Sequence, residues 1–164
     1  MIYSTLQISQ LTDSKLIGNP DILISNISFD SRNLYSISDT AFIAINTKNN
    51  SGEKYISSVV EKGVKVIISE NYYPEYEDIT WIITKNSIEF LQILAKKHLE
   101  NSHLENTIGI TGSNGKTIVK EWLYQCLWDE FSTVKSPKSF NSQIGLPISL
   151  LQINEAVSYT HLRA

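Results

Sequence analysis

The sequence is short of cysteine, of positive charge and of long apolar runs, and each shortage excludes a class of protein. One cysteine, Cys126, in 164 residues rules out an internal disulfide. The formal net charge of −3 lacks the basic excess with which proteins neutralise a nucleic-acid backbone. No run approaches the roughly 20 apolar residues that cross a bilayer, and the opening MIYSTLQISQ has no signal-peptide pattern. We therefore expect a cytoplasmic protein that neither binds nucleic acid nor inserts into a membrane.

Strand-like and helix-like segments alternate along the chain, and 41% of its residues are apolar, as in ordinary globular proteins. This alternation predicts an α/β fold with a largely parallel sheet. The predicted strands are residues 21–29, 41–45, 64–68, 80–84 and 107–111. Helices are predicted over 4–11, from Ser51-Gly52-Glu53 to Gly63, after a cap at Asn86, from Lys116, and over 148–154.

A polar stretch, KKHLENSHLEN over residues 96–106, separates two predicted domains, 1–104 and 105–156. Two histidines, His98 and His103, lie within it. Their spacing of five fits neither one helix face nor a common metal-ligand pattern, so we expect both at the solvated surface.

Residues 108–117, IGITGSNGKT, are the most chemically specific segment, since an apolar strand there leads into a glycine-rich turn that ends in Lys-Thr. Gly112 and Gly115 lack Cβ atoms, so the main chain can adopt positive φ and bring its N–H groups close to phosphate oxygens. A helix that begins near Lys116 adds unpaired N–H groups and its positive dipole end. Lys116 would then contact the terminal phosphates, and the Thr117 hydroxyl would ligate Mg²⁺.

The strict phosphate-loop pattern G-x-x-x-x-G-K-[ST] requires glycine where this chain has Ile110. The order of strand, loop and helix supports the phosphate-loop interpretation, although a Gly/Asn turn before an ordinary helix is the alternative. The helix carries an apolar stripe that we expect in the core, which makes Cys126 a core residue. The stripe consists of Val119, Trp122, Leu123, Cys126 and Leu127, and Trp122, Tyr124 and Trp128 are expected to pack rather than to stack on a base.

The segment from Thr111 to Thr117 resembles the phosphate loop of the Mur ligases, which also departs from the strict spacing. Three further segments are similar to that family, and the resemblance covers residues 1–156. They are Asp30-Ser31-Arg32 followed by 41–44, the helix start at 52–56, and SFNSQIGLP at 139–147. The last is similar to the members that add D-alanyl-D-alanine, in particular those fused to an alanine racemase.

The resemblance implies that residues 1–104 form the domain that binds UDP-N-acetylmuramoyl-tripeptide. Residues 105–156 would then begin a central ATPase domain. In this family ATP phosphorylates the peptide carboxylate, with Mg²⁺ as cofactor, and the amine of D-alanyl-D-alanine attacks the resulting acyl phosphate where the two substrates meet. The chemistry depends on positioning and on charge neutralisation.

Carried over by position, the resemblance assigns catalysis to Lys116 and Thr117, with Mg²⁺ on Thr117. The ATP-binding residues would be Thr111, Gly112, Ser113, Asn114, Gly115, Lys116, Thr117 and Ile118. The substrate-binding residues would be Ser31, Arg32, Lys48, Asn49, Asn50, Asn141 and Gln143. Two alternatives stay open: Ser31 and Arg32 would also suit a polar turn, and Asn141 and Gln143 could hydrogen-bond their own loop.

Two features depart from the family pattern. Ile118 replaces the usual Thr or Ser, which removes a hydroxyl beside the phosphates. The carboxylates, histidine and modified lysine that complete such an active site would lie beyond residue 156. Residues 157–164, VSYTHLRA, resemble a translated sequencing adaptor. We therefore expect a fragment that is inert alone, in which His161 and Arg163 carry no function.

Three other functions remain open at this point. The chain could belong to a Mur ligase that adds a different amino acid, to an unrelated phosphate-loop kinase, or to a nucleotide-sugar binding module without catalysis. Binding of a UDP-sugar by residues 1–104 is expected for a ligase or a module, and not for a kinase.

Overall fold

The computed structural model describes residues 1–34, 36–102, 106–136, 142–153 and 159–163. The chain forms two compact units, Met1–Leu94 and Ala95–Ala164. They divide inside a helix, ten residues before the predicted boundary at 104. The assignment of 1–104 and 105–156 to different ligands stays a prediction, because compactness alone does not define what a unit binds.

The first unit contains, within the described ranges, nine short strands, two complete α-helices, the first part of a third and two 3-10 turns. In order they are β1 (Tyr3–Ser4), α1 (Thr5–Leu11), β2 (Lys15–Ile17), β3 (Leu23–Ile24), β4 (Asn26–Ser28), a 3-10 turn (Ile37–Asp39), β5 (Thr40–Ile43), β6 (Asn46–Thr47), β7 (Asn50–Ser51), a 3-10 turn (Gly52–Tyr55), α2 (Ile56–Glu61), β8 (Val66–Ser69), β9 (Thr80–Ile83) and α3 (Ser87–Asn101), which continues into the second unit.

Five of these strands form one sheet in the order β2-β9-β8-β5-β4, and every neighbouring pair except β2 with β9 is parallel. Strands β5 and β8 are buried along their whole length, which explains their continuous apolar sequences. Phe42, Ile67 and Trp81 lie side by side across three strands in the core beneath α2. The predicted α/β class is confirmed, and the largely parallel sheet is found as expected.

The second unit contains the end of α3 followed by five further elements. They are β10 (Asn106–Ile110), α4 (Lys116–Leu127), β11 (Thr133–Lys135), α5 (Gly145–Leu151) and β12 (Tyr159–Arg163). The strands form a parallel sheet in the order β10-β12-β11.

Several helix starts are formed as the sequence predicts. Ser4 caps α1, and its side chain and that of Gln7 exchange hydrogen bonds with each other's backbone N–H. Asn86 caps α3, since its Oδ1 accepts from the N–H groups of Ile88 and Glu89, both at 3.0 Å. The helix predicted after Ser51 starts as a 3-10 turn and becomes α-helical only at Ile56.

The single strand predicted over 21–29 is wrong, because the structure has two strands, β3 and β4, that belong to different sheets. Ser25 separates them. Its N–H donates to the Asp39 carbonyl at 2.9 Å and its hydroxyl donates to the Asp39 carboxylate. These two hydrogen bonds fix Ser25 at the point where the chain leaves one sheet and enters the other.

The inward apolar face predicted for α4 is found only in part, since Leu123 and Leu127 are half-buried. Trp122 is 65% exposed, Val119 and Cys126 are exposed as well, and the side of α4 that is buried carries Lys120. An apolar stripe predicts burial only where another layer covers it, and in this stripe Leu123 and Leu127 are half-buried while the other three residues are exposed. The core position predicted for Cys126 is therefore not found.

Residues 159–163 lie in the segment that resembles an adaptor, and they form β12 between β10 and β11. Backbone pairing uses only main-chain N–H and C=O groups, which any sequence without proline supplies. The pairing therefore says nothing about the origin of these residues, and the adaptor interpretation stays a prediction.

The surface position predicted for His98 is wrong, whereas His103 lies outside the described residues. His98 is 8% exposed, and its Nε2 lies 2.8 Å from the Ile153 carbonyl oxygen just after α5. Burial lowers the pKa of His98 below its ordinary value of 6.5, although the hydrogen bond to Ile153 opposes this shift.

We predict that the second unit loses stability in mild acid through His98. Its folded-state pKa is lowered, so the folded state binds fewer protons than the unfolded state. Its contribution is complete above pH 6.5 and is lost as the pH falls toward the lowered value. Urea unfolding followed by amide NMR signals of α5 should show this loss in the wild type. His98→Gln, which keeps an N–H donor but does not titrate, should abolish it, and an equal loss in both proteins would contradict the assignment.

Candidate functional site

The loop between β10 and α4 has the backbone conformation that the sequence predicts. Gly112 has φ of 145° and Gly115 has φ of 75°, both in the region that favours glycine. A Cβ atom on Gly115 would meet no atom within 4 Å, so glycine is needed here for conformation rather than for space in the protein. The loop therefore presents its main chain to an open surface.

Helix α4 begins at Lys116, directly after Gly115, which serves as its N-cap without a side chain. The first intrahelical bond runs from Val119 N to the Gly115 carbonyl at 3.0 Å. The N–H groups of residues 116–118 therefore have no carbonyl of their own helix to bond, and they point along the helix axis toward the loop. N–H groups at a helix start after a glycine-containing loop are the donors that protein sites commonly use for an anion.

The Lys116 ammonium group lies over this loop and donates a hydrogen bond to the Gly112 carbonyl. Thr117, the second residue of α4, is exposed, as are Thr111, Ser113 and Asn114. Ile118 is 56% exposed, so it does not close the site with its apolar side chain. The structure thus places all eight predicted nucleotide-binding residues, 111–118, in one continuous loop and first helical turn.

A second candidate site lies in the first unit, directly after β4. A depression of about 310 Å³ is lined by Phe29, Asp30, Ser31, Arg32 and Tyr55. Since β4 is parallel to β5, this depression lies at the carboxyl edge of the sheet, where ligands of α/β proteins bind. Two predicted residues, Ser31 and Arg32, are therefore part of a real concavity.

Arg32 is held by its neighbour Asp30 in this depression. Arg32 Nε and Nη2 each donate to one Asp30 carboxylate oxygen at 2.9 Å, and Arg32 N donates to Oδ1 at 3.0 Å. The side-chain bonds to Arg32, followed by the backbone bond, lower the pKa of Asp30 to about 2. The Arg32 side chain is nevertheless 87% exposed, so its guanidinium remains accessible to a ligand.

Two further residues, Tyr55 in the lining and Lys62 bonded to the lining residue Ser31, were not predicted from the sequence. Lys62 Nζ donates to the Ser31 carbonyl at 2.6 Å, which brings a second cation beside Arg32. Tyr55 is 37% exposed, and Lys54 Nζ lies 5.0 Å from the centroid of its ring. The only sequence signal for Tyr55 is its place at the end of the 3-10 turn that opens at Gly52.

The predicted residues Lys48, Asn49 and Asn50 lie in the hairpin of β6 and β7, with Lys48 and Asn49 at its tip. Asn50 accepts a hydrogen bond from Lys54, and this bond connects the hairpin to the residue beside Tyr55. The hairpin base is fixed because Asn46 Nδ2 donates to Glu70 at 3.0 Å and Asn46 N donates to Ser87 Oγ at 3.1 Å.

The remaining predicted substrate residues are Asn141, which lies outside the described residues, and Gln143. Gln143 is exposed two positions before α5. Ser142 Oγ accepts from Gly145 N at 2.9 Å, which caps the turn into α5. The roles predicted for Asn141 and Gln143 stay predictions.

Comparison with known proteins places this geometry in a family. The family described as Mur ligase middle domain matches residues 110–161, which include the whole phosphate loop. The chain is 32% identical over 160 residues to the UDP-N-acetylmuramoyl-tripeptide–D-alanyl-D-alanine ligase of Borreliella burgdorferi, a match that covers 90% of this chain and 34% of the relative. The chain belongs to the Mur ligase family.

Solved structures agree with this membership. MurF from Acinetobacter baumannii matches with a TM-score of 0.90 and 25% identity, over 99% of this chain and 36% of that one. MurF from Thermotoga maritima, in complex with ADP, matches with a TM-score of 0.69 and 28% identity, over 85% and 32% of the two chains. The predicted family is confirmed, and an unrelated phosphate-loop kinase is excluded.

This Mur ligase chain spans about a third of the length of the curated relatives it matches. Another relative is named for diaminopimelate instead of D-alanyl-D-alanine. The UDP-N-acetylmuramoyl-L-alanyl-D-glutamate–2,6-diaminopimelate ligase of Clostridium tetani is 41% identical over 106 residues, 62% of this chain and 21% of the relative. No helix in the described part of the chain has the length and hydropathy to span a bilayer.

Proposed function

We propose that this chain is part of an ATP-dependent ligase that joins D-alanyl-D-alanine to UDP-N-acetylmuramoyl-tripeptide. The observation that carries the proposal is the phosphate loop, in which two positive-φ glycines lead directly into Lys116 at the start of α4. The names of the relatives at 28–32% identity supply the substrates. Residues 1–104 would bind the nucleotide sugar and residues 105–156 would begin the ATPase domain.

The loop acts on ATP by positioning and charge neutralisation. Loop amides and the first N–H groups of α4 would bind the terminal phosphates, while Lys116 moves from the Gly112 carbonyl to a phosphate oxygen. The exposed hydroxyl of Thr117 suits a Mg²⁺ ligand, and the bound ion would neutralise phosphate charge. The γ-phosphoryl group passes to the peptide carboxylate and releases ADP. The amine of D-alanyl-D-alanine then displaces phosphate to form the amide.

The depression beside β4 is proposed as the uridine-diphosphate site. Arg32 and Lys62 would face the diphosphate, Ser31 would offer a hydroxyl, and the half-exposed Tyr55 ring would offer a flat face to uracil. The hairpin that carries Lys48, Asn49 and Asn50 adjoins this site through Lys54. Such substrates are charged nucleotides that do not cross bilayers, so we place the enzyme in the cytoplasm.

A second candidate is a Mur ligase that adds diaminopimelate, which the 41% identity to the Clostridium tetani enzyme favours. The proposal for D-alanyl-D-alanine is preferred because several relatives with that name match 85–93% of the chain, whereas the diaminopimelate ligase matches 62%. Amino-acid profiling of the complete enzyme separates the two. The sequence of the complete gene tests the predicted alanine racemase fusion.

We predict that Lys116→Ala weakens MgATP binding to this chain by roughly 10- to 100-fold, since a hydrogen bond to a charged group contributes roughly 1.5–3 kcal/mol. Isothermal titration calorimetry measures the affinity. Lys97→Ala, which removes an exposed lysine paired with Glu100 on α3, is the matched control and should bind as the wild type does. Equal binding by Lys116→Ala and wild type would contradict the phosphate-loop assignment.

Arg32→Ala is predicted to weaken binding of UDP-N-acetylmuramoyl-tripeptide about tenfold, because it removes one charge-assisted contact to the diphosphate. The control is Lys65→Ala, which removes an exposed cation at the opposite, amino edge of the sheet. Calorimetry with the nucleotide sugar measures both. If Lys65→Ala reduces the affinity as much as Arg32→Ala does, the depression after β4 is not the site.

A further inference from the structure

Lys120 is a buried charged residue that the proposed mechanism does not use. Its side chain is 1% exposed, and it lies one helical turn after Lys116 on α4. Lys120 Nζ donates to the Ser136 carbonyl at 2.8 Å and lies 3.3 Å from Glu121 Oε1. Ser136 directly follows β11 and is itself buried.

The charge of Lys120 is balanced by a small network. The Glu121 carboxylate pairs with Lys120 and also accepts a hydrogen bond from Lys135 on β11. Lys135 Nζ in turn lies 4.2 Å from the centroid of the Tyr124 ring. Methionine would fill the space of Lys120 without the cost of burying a charge. What lysine adds is a donor directed at one particular carbonyl.

The parallel sheet explains why this carbonyl matters. Strands β10 and β11 are both parallel to β12, so their carboxyl ends lie at the same edge of the sheet. The phosphate loop follows β10, and Ser136 follows β11. Ile110 pairs with Arg163 and Lys135 with His161, so the two strands end only two residues apart along β12. Lys120 therefore links the helix of the phosphate loop to the carboxyl end of β11, at the edge of the sheet where ligands of α/β proteins bind.

We propose that Lys120 is a positioning residue of the nucleotide site. It holds the first turns of α4 at a fixed distance from the carboxyl end of β11, and so fixes the direction of the loop amides. The effect on nucleotide affinity rests on the proposed function, whereas the effect on the first turn of α4 does not. A positioning residue of this kind changes the local opening of that turn without contacting the phosphates.

Three variants of the 164-residue chain test this proposal. Lys120→Met removes the donor, Lys120→Arg restores a charged donor, and Lys135→Met removes the other lysine bound to Glu121 as the matched control. The readouts are MgATP affinity by calorimetry and hydrogen exchange of the Val119 amide, which is bonded to Gly115 O in the first turn. Lys120→Met should weaken affinity about tenfold and speed Val119 exchange about tenfold, a change that corresponds to about 1.4 kcal/mol. Lys120→Arg should recover most of both changes, and Lys135→Met should show neither.

The outcomes separate this inference from the proposed function. If Lys116→Ala weakens MgATP binding as predicted and Lys120→Met leaves affinity and Val119 exchange unchanged, the inference is overturned and the proposed function stands. If the wild-type chain does not bind MgATP but Lys120→Met still speeds Val119 exchange, the proposed function fails and the positioning of α4 stands. Should Lys120→Met not fold, Lys120→Leu, which also lacks a donor, replaces it, and loss of the fold in both variants overturns the inference by assigning Lys120 to folding.

Discussion

The function proposed for this chain depends on one constraint, which is the left-handed backbone at Gly112 and Gly115 between a parallel strand and a helix. That conformation turns consecutive main-chain N–H groups to one side and starts α4 at Lys116 without an intervening cap side chain. A residue with a Cβ atom at Gly115 would disfavour the left-handed conformation by roughly 1–2 kcal/mol and would tilt the turn away from it. Under the proposed function, the backbone geometry of this loop would therefore supply most of the phosphate-binding donors, and the side chains would add to them.

The cations at both candidate sites have one property in common, which is that each donates a hydrogen bond to an acceptor of the protein itself. Lys116 bonds the Gly112 carbonyl, Arg32 bonds Asp30, and Lys62 bonds the Ser31 carbonyl. A phosphate ligand would exchange these partners for its own oxygens and would not meet free, fully hydrated ammonium groups. The bonds from Arg32 lower the pKa of Asp30 to about 2, and the ionised carboxylate holds the guanidinium through two hydrogen bonds. Orientation before binding reduces the conformational entropy that binding must remove.

Local sequence signals predicted the parts of the fold that local interactions decide. Asn86 caps its helix, and the glycines of the phosphate loop have positive φ, because each needs only neighbours within a few residues. Tertiary contacts decided the rest. The buried Lys120 on α4 finds its acceptor at Ser136, just after β11, and the buried His98 finds its acceptor at Ile153, 55 residues away. Neither partner is visible from periodicity or composition.

The most direct test of the central claim is an amide NMR titration of the 164-residue chain with MgADP. The largest chemical-shift changes are expected at the amides of residues 112–117, while signals of β5 and β8 in the first unit stay unchanged. Shifts that concentrate at residues 29–32, or a saturating titration that leaves the loop amides unmoved, would contradict a nucleotide site built from this main chain.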